Sequence, residues 1–156
     1  MSRGPRQGPF TEEDANDSSG FLLWQVTALW QRQVSRALRP HDLTQVQFAI
    51  LASLLWLTRR EDDVTQARLA AHARLDVTMT SQVLRTLEAR RLLDRRAHPS
   101  DTRAKVLQLT AAGRALALKA VPDVEAADAA FFAALGAGAR DFNRRLVALI
   151  DAATPP

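Results

Sequence analysis

The chain has 156 residues, with 21 basic and 17 acidic side chains, three histidines, no cysteine and no tyrosine. That length fits one domain able to bury roughly 70% of its unfolded surface, and the missing cysteines exclude disulfides, thiol nucleophiles, thiol redox sensing and thiolate metal sites. No stretch approaches the ~20 apolar residues of a membrane span, and residues 1–10 lack the apolar core of a signal peptide, which argues for a cytoplasmic protein.

Residues 1–19 are rich in Gly, Pro, Ser, Asn and acids, with one aromatic, Phe10, and are expected to be a disordered tail. From about Gly20, Phe21, Leu22, Leu23, Trp24, Val26, Leu29, Trp30, Val34, Ala37 and Leu38 form an apolar stripe at helical spacing. Pro40 is expected to end this helix by pushing residue 39 out of the α region. Thr44-Gln45-Val46-Gln47 matches a capping box and opens a helix to about Leu57. Its apolar residues cover most of its circumference, so it is read as buried on several sides.

Thr65 can cap a short helix to about His72, and Asp76 another to about Arg91. Ala73-Arg74-Leu75 joins them, so the pair is a helix-turn-helix candidate. On the second helix Thr80, Val83, Leu84 and Leu87 face inward. Leu92 to Ala97 and Ala104 to Leu109 read as two short strands, joined by the turn formers His98 to Arg103 in a hairpin with an arginine at its tip. Thr110 caps a long Ala-rich helix that Pro122 is expected to break or kink, resuming to about Leu135. Gly136 and Gly138 separate it from a last helix with Phe142, Leu146, Leu149 and Ile150 on one face.

Charge is not spread evenly. Residues 1–64 hold 7 basic and 8 acidic side chains, and residues 111–156 hold 5 of each. Residues 65–110 hold 9 basic and 4 acidic, a net +5. The excess therefore lies on the helix-turn-helix and hairpin, as a phosphate-binding surface requires. The high isoelectric point adds little, because 19 of the 21 basic residues are arginine and almost nothing titrates in the alkaline range.

A helix-turn-helix followed by a hairpin wing resembles a winged-helix regulator. The runs Leu43–Phe48, Leu69-Ala70, Leu87-Glu88-Ala89-Arg90-Arg91-Leu92-Leu93, Asp101-Thr102-Arg103-Ala104 and Leu109-Thr110-Ala111-Ala112-Gly113 follow one another at the spacing of the MarR (multiple-antibiotic-resistance regulator) family. The similarity covers roughly residues 20–150. It implies a mainly α fold with a small β-hairpin wing: a winged helix-turn-helix lobe over residues 41–110 and a dimerisation region from residues 20–40 and 111–153. It further implies an intertwined homodimer that binds a pseudo-palindromic operator in double-stranded DNA. Such proteins usually repress transcription and release DNA on binding a small aromatic or anionic ligand. Arg74 and Arg91 depart from the pattern, standing where the family has glycine. If those positions need positive φ, each arginine is strained.

On this resemblance Thr78, Met79, Ser81, Gln82 and Arg85 face the major groove, where Gln82 can pair with adenine and Arg85 with guanine or a phosphate. Arg103 enters the minor groove, and Asp101 is expected to hold its guanidinium. Arg95, Arg96, Lys105 and Arg68 are expected phosphate contacts. Trp24, Trp30, His41 and Trp56 are candidates for an effector pocket, set against plain core or dimer packing. His41, His72 and His98 lack close metal-ligand spacing, so no metal and no cofactor is expected. A winged-helix protein-interaction module is the alternative, and the concentrated positive charge argues against it. With no Ser-His-Asp set, Gly-rich phosphate loop or metal cluster, the sequence does not read as an enzyme.

Overall fold

The computed structural model describes residues 14–154. The first thirteen residues of the expected tail lie outside it. The rest of that segment is ordered: Asp14 caps a 3-10 turn at Ala15–Asp17, and Ser18 caps α1 (Ser19–Leu38) by accepting the Phe21 N–H at 3.3 Å. Pro40 does not stop α1 in the expected way. Arg39 stays in the α region (φ −55°, ψ −43°), and Pro40 occupies the first turn of a 3-10 helix at Arg39–His41, where its missing N–H costs nothing. The chain turns instead at Asp42, which is left-handed (φ 51°, ψ 45°).

The capping box forms as the sequence indicates. Thr44 Oγ1 accepts the Gln47 N–H at 3.2 Å, and Gln47 Oε1 accepts the Thr44 N–H at 3.0 Å. It opens α2 (Gln45–Leu57), whose Ile50, Leu51, Leu54 and Leu57 are buried. This helix is the hub of the lobe, packed by α1, α3 (Gln66–Ala73), α4 (Val77–Ala89), α5 (Ala111–Phe132) and the hairpin.

Thr65 and Asp76 cap α3 and α4, accepting the Arg68 and Met79 N–H groups at 3.2 and 2.9 Å. Both helices end alike. After α4, the Leu92 N–H donates to the Leu87 carbonyl (2.9 Å) and the Arg91 N–H to the Glu88 carbonyl (2.8 Å). After α3, Leu75 and Arg74 make the same bonds to Ala70 (3.0 Å) and Ala71 (3.4 Å). These are Schellman closures, which place one residue in the left-handed region. Here that residue is Arg74 (φ 49°) or Arg91 (φ 57°) in place of glycine.

β1 (Leu93–Ala97) pairs antiparallel with β2 (Lys105–Leu109) in the register Leu93↔Leu109 to Ala97↔Lys105. The outer edge of β2 is also covered: Thr65 bridges Val106, and the Leu107 N–H donates to the Val64 carbonyl at 2.8 Å. The hairpin base is thereby fastened to the start of α3.

Thr110 caps α5 and joins it to the α4–β1 turn. Its hydroxyl donates to the Arg91 carbonyl (2.8 Å) and accepts the Gly113 N–H (3.0 Å), while its own N–H donates to the Leu92 carbonyl (3.2 Å). α5 then runs through Pro122 as one helix, so the break of the expected break or kink does not occur. The proline removes one hydrogen bond, to the carbonyl of Leu118, a residue on the exposed side. Buried Ala117, Ala120 and Val124 hold both halves of the helix on the same core. α1 and α5 run antiparallel. Trp30 Nε1 donates to Asp128 (2.7 Å), Gln33 Nε2 to the Ala127 carbonyl (3.1 Å) and His41 Nε2 to Asp123 (2.6 Å).

α5 passes into a 3-10 segment at Ala133–Gly138, where Gly136 has φ 49° and ψ −129°, a conformation that needs glycine. α6 (Ala139–Ala152) follows and has no buried residue. No helix among the described residues is long and apolar enough to cross a membrane.

Candidate nucleic-acid interface

The exposed face of α4 is set by what its inner face buries. Thr80 is fully buried, its hydroxyl donating to the Asp76 carbonyl at 2.7 Å, and Leu84 and Leu87 follow it into the core with half-buried Val83. At 3.6 residues per turn this leaves Thr78, Met79, Gln82 and Arg85 exposed, with Ser81 half-buried. Val77 is exposed beside Met79; sequence reasoning passed over it, although it is the first residue of the helix. The Gln82 side-chain amide has no hydrogen-bond partner among the described residues. Arg85 reaches only the Ser81 hydroxyl, at a marginal 3.5 Å. These two side chains are available to a ligand.

The wing tip is built around its turn. His98 Nδ1 accepts the N–H groups of Ser100 (3.2 Å) and Asp101 (3.1 Å), so this imidazole is a structural part of the loop. Asp101 does not hold the Arg103 guanidinium. Its carboxylate accepts the Arg103 backbone N–H at 2.9 Å, and its carbonyl accepts the Ala104 N–H at 3.1 Å. A short acidic side chain next to a turn closes on its own backbone more readily than on a distant guanidinium. Arg103 is therefore exposed, with its charge unpaired among the described residues.

The expected phosphate contacts divide into two groups. Arg96 and Lys105 are exposed on the strands without ion pairs among the described residues. Arg95 and Arg68 are already engaged. Arg95 Nε donates to Glu88 on α4 at 3.0 Å, and Arg68 makes a two-pronged pair with Glu61 at 2.6 and 3.0 Å. Each gives its Nε and Nη2 to the carboxylate, which neutralises the charge and leaves only Nη1 for a phosphate. The Glu88 carboxyl is held below its ordinary value, chiefly by the Arg95 hydrogen bond; burial opposes this and the Arg95 charge adds to it. Sequence spacing hid both pairs, because each joins residues seven apart on different elements.

Arg90 and Arg91 were also unassigned. Arg90 Nη1 donates to the Asp42 carbonyl (2.8 Å) and to Gln47 Oε1 (3.3 Å), fastening the end of α4 to the start of α2. Arg91 is exposed at the base of the wing.

The four candidates for an effector pocket occupy different places in the single chain. Trp24 is 75% exposed and lines a concavity on α1 with Leu23, Thr27 and Gln31. Trp56 lies at the end of α2 under Arg60, whose guanidinium is 4.8 Å from the ring centroid. Trp30 and His41 are taken up by Asp128 and Asp123 and tie α1 to α5.

A MarR family model matches residues 43–105, the span of the winged lobe. The HTH-type transcriptional regulator YdcH of Bacillus subtilis (strain 168) is 44% identical over 119 residues, covering 76% of this chain and 81% of that protein. The crystal structure of the Mycobacterium tuberculosis MarR family protein Rv2887, in complex with salicylic acid, is 38% identical with a TM-score of 0.65, covering 88% of this chain and 98% of that one. CouR of Rhodococcus jostii RHA1, a transcriptional repressor solved on a 23-mer DNA duplex, is 25% identical with a TM-score of 0.76, covering 92% and 99%. With a relative of this identity matched over most of its length, and with the capped helix pair, the wing and the Leu-Thr-x-x-Gly closure all in place, the chain belongs to the MarR family of winged-helix transcriptional regulators.

Proposed function

We propose that the protein is a homodimeric repressor that reads its operator with α4 and the wing. The observation that carries this reading is the unpaired chemistry on one side of the lobe. Gln82 and Arg85 are free on α4, and Arg103, Arg96 and Lys105 are free on the wing, in the segment that holds the whole net charge of the chain. Gln82 and Arg85 have the donor and acceptor sets that read base edges in a major groove. Met79 and Val77 offer apolar contact to thymine methyl groups. Arg103, with its backbone fixed by Asp101, fits a narrow minor groove, and Arg96 and Lys105 fit the flanking phosphates.

Apolar surface left open by the single chain supports the dimer. Of the α1 stripe only Val34 and Leu38 are buried, while Phe21, Leu22, Leu23, Trp24, Val26 and Leu29 are exposed, as are Val147, Leu149 and Ile150 on α6. These helices lie outside the winged lobe, and a second copy covers their apolar faces. Release by a small aromatic or anionic ligand follows the relatives, one of which is solved with salicylic acid.

The test is a binding titration of the full-length protein against duplexes from the region upstream of its own gene. A pseudo-palindrome with half-sites about one helical turn apart is the expected target. Tight binding there, weak binding to a scrambled duplex and weakening by millimolar salicylate support the reading. Equal affinity for both duplexes at every salt concentration contradicts it.

A further inference from the structure

Arg74 closes α3 in a left-handed conformation (φ 49°, ψ 44°), which strains any residue that carries a side chain. Strain of this kind persists where the surroundings hold the residue in place, and it gathers at positions with a use. Arg74 is held by its own side chain. Its Nη1 donates to the Thr154 hydroxyl at 2.8 Å, 80 residues away in sequence at the end of α6. That hydroxyl donates its proton to the Ile150 carbonyl at 2.7 Å, which leaves its lone pairs for the guanidinium. The last turn of α6 has no basic residue, so Arg74 also supplies the cation that a helix C-terminus favours.

α6 is otherwise held chiefly at its start. It packs on the 3-10 segment before it, where the Phe142 and Phe132 ring centroids are 6.0 Å apart, and it buries no residue along about 21 Å of helix rise. It is a span fastened at both ends, with Val147, Leu149 and Ile150 exposed along it. Its far anchor is the α3–α4 turn, three residues ahead of Val77, where α4 begins.

We propose that Arg74 is a positioning residue: it hooks the start of α4 to the end of α6 and so sets the distance between the two α4 helices of the dimer. The direction of α6 follows the second copy that covers its apolar side chains, and Arg74 passes that direction to the turn from which α4 starts. The distance between reading helices rests on the repressor reading, whereas the hook is a contact within one chain and does not. Loss of the hook leaves the reading face of α4 intact but lets the lobe swing. Preference for one half-site spacing therefore falls more than affinity for a single half-site.

Two measurements on the full-length protein test this. Amide hydrogen exchange compares the wild type with Arg74→Gly, Thr154→Val and Arg74→Lys. Loss of either partner is expected to speed exchange in the last turn of α6 at least about threefold and to leave its first turn unchanged, while Arg74→Lys, which keeps a donor, stays near wild type. The thermal midpoint of Arg74→Gly should not fall, because glycine suits the left-handed closure. Fluorescence anisotropy then compares the promoter duplex with the same duplex carrying one extra base pair between the half-sites. The wild type is expected to disfavour the longer duplex at least about tenfold, and Arg74→Gly and Thr154→Val less than about threefold. Unchanged exchange at the end of α6, or a wild-type spacing preference in both variants, overturns the proposal. Faster exchange throughout the chain with a lower thermal midpoint marks a merely structural role and also overturns it. So does a salt dependence lowered by about one unit in Arg74→Gly but not in Thr154→Val, which makes Arg74 a phosphate contact. If the wild type binds promoter and scrambled duplexes equally, the repressor reading fails, and hydrogen exchange alone decides the hook.

Discussion

The carboxylate of Asp101 accepts the backbone N–H of Arg103 at 2.9 Å, which fixes the wing turn and leaves the arginine side chain free. The Asp-x-Arg motif thus works through the backbone, as a loop closure that presents a cation.

This role can be separated from a charge-pair role. An amide oxygen can accept the same N–H, so Asp101→Asn should keep promoter affinity within about threefold, whereas Asp101→Ala, which opens the turn, should lose roughly tenfold. Equal losses in both variants would mean that the charge of Asp101 matters.

Gly113 packs directly on the chain of the α4–β1 turn. A Cβ built there lies 1.7 Å from the Leu92 carbonyl oxygen, a backbone atom that cannot swing aside. Gly113→Ala should therefore destabilise the fold by about 1–3 kcal/mol, despite alanine's better helix propensity. Urea unfolding measures it, and a neutral or stabilising result contradicts the close packing.

Arg91 closes α4 in a left-handed conformation that costs a side chain about 1 kcal/mol. Arg91→Gly should raise stability by up to about 1 kcal/mol in the same assay. Promoter affinity separates two uses of the side chain: a fall in salt dependence by about one unit identifies a phosphate contact.

The Glu88–Arg95 pair gives a pH signature. Because the folded carboxyl sits below its ordinary value of 4.5, the unfolded chain takes up the proton first as pH falls. The pair's contribution is therefore complete above about pH 5 and is lost as pH drops through the lowered folded value. Both side chains are partly exposed, so the effect should stay under about 1 kcal/mol. In Arg95→Gln the Glu88 carboxyl should titrate closer to 4.5 in an NMR experiment, and the acid limb of the stability curve should flatten.

The helix starts were legible because each depends on a side chain within three residues of the backbone it caps. Thr44, Thr65, Asp76 and Thr110 all cap where the sequence places them. Arg74 and Arg91 stood out only against the glycines of the family pattern, and both are left-handed. Local rules failed where tertiary packing or a rival hydrogen bond decided the outcome. Pro40 was expected to end a helix and Pro122 to break or kink one, but a first-turn position accommodates the first and core packing on both sides carries the helix through the second without a break. Arg68 and Arg95 were read as free cations because their carboxylate partners sit on other elements.

The most direct test of the account is the affinity of full-length wild type and Arg103→Ala for a promoter duplex, measured by fluorescence anisotropy over a range of salt. The account predicts a folded dimeric variant that binds about ten- to a hundredfold more weakly, with a salt slope lower by about one. Identical binding curves for the two proteins at every salt concentration would contradict it.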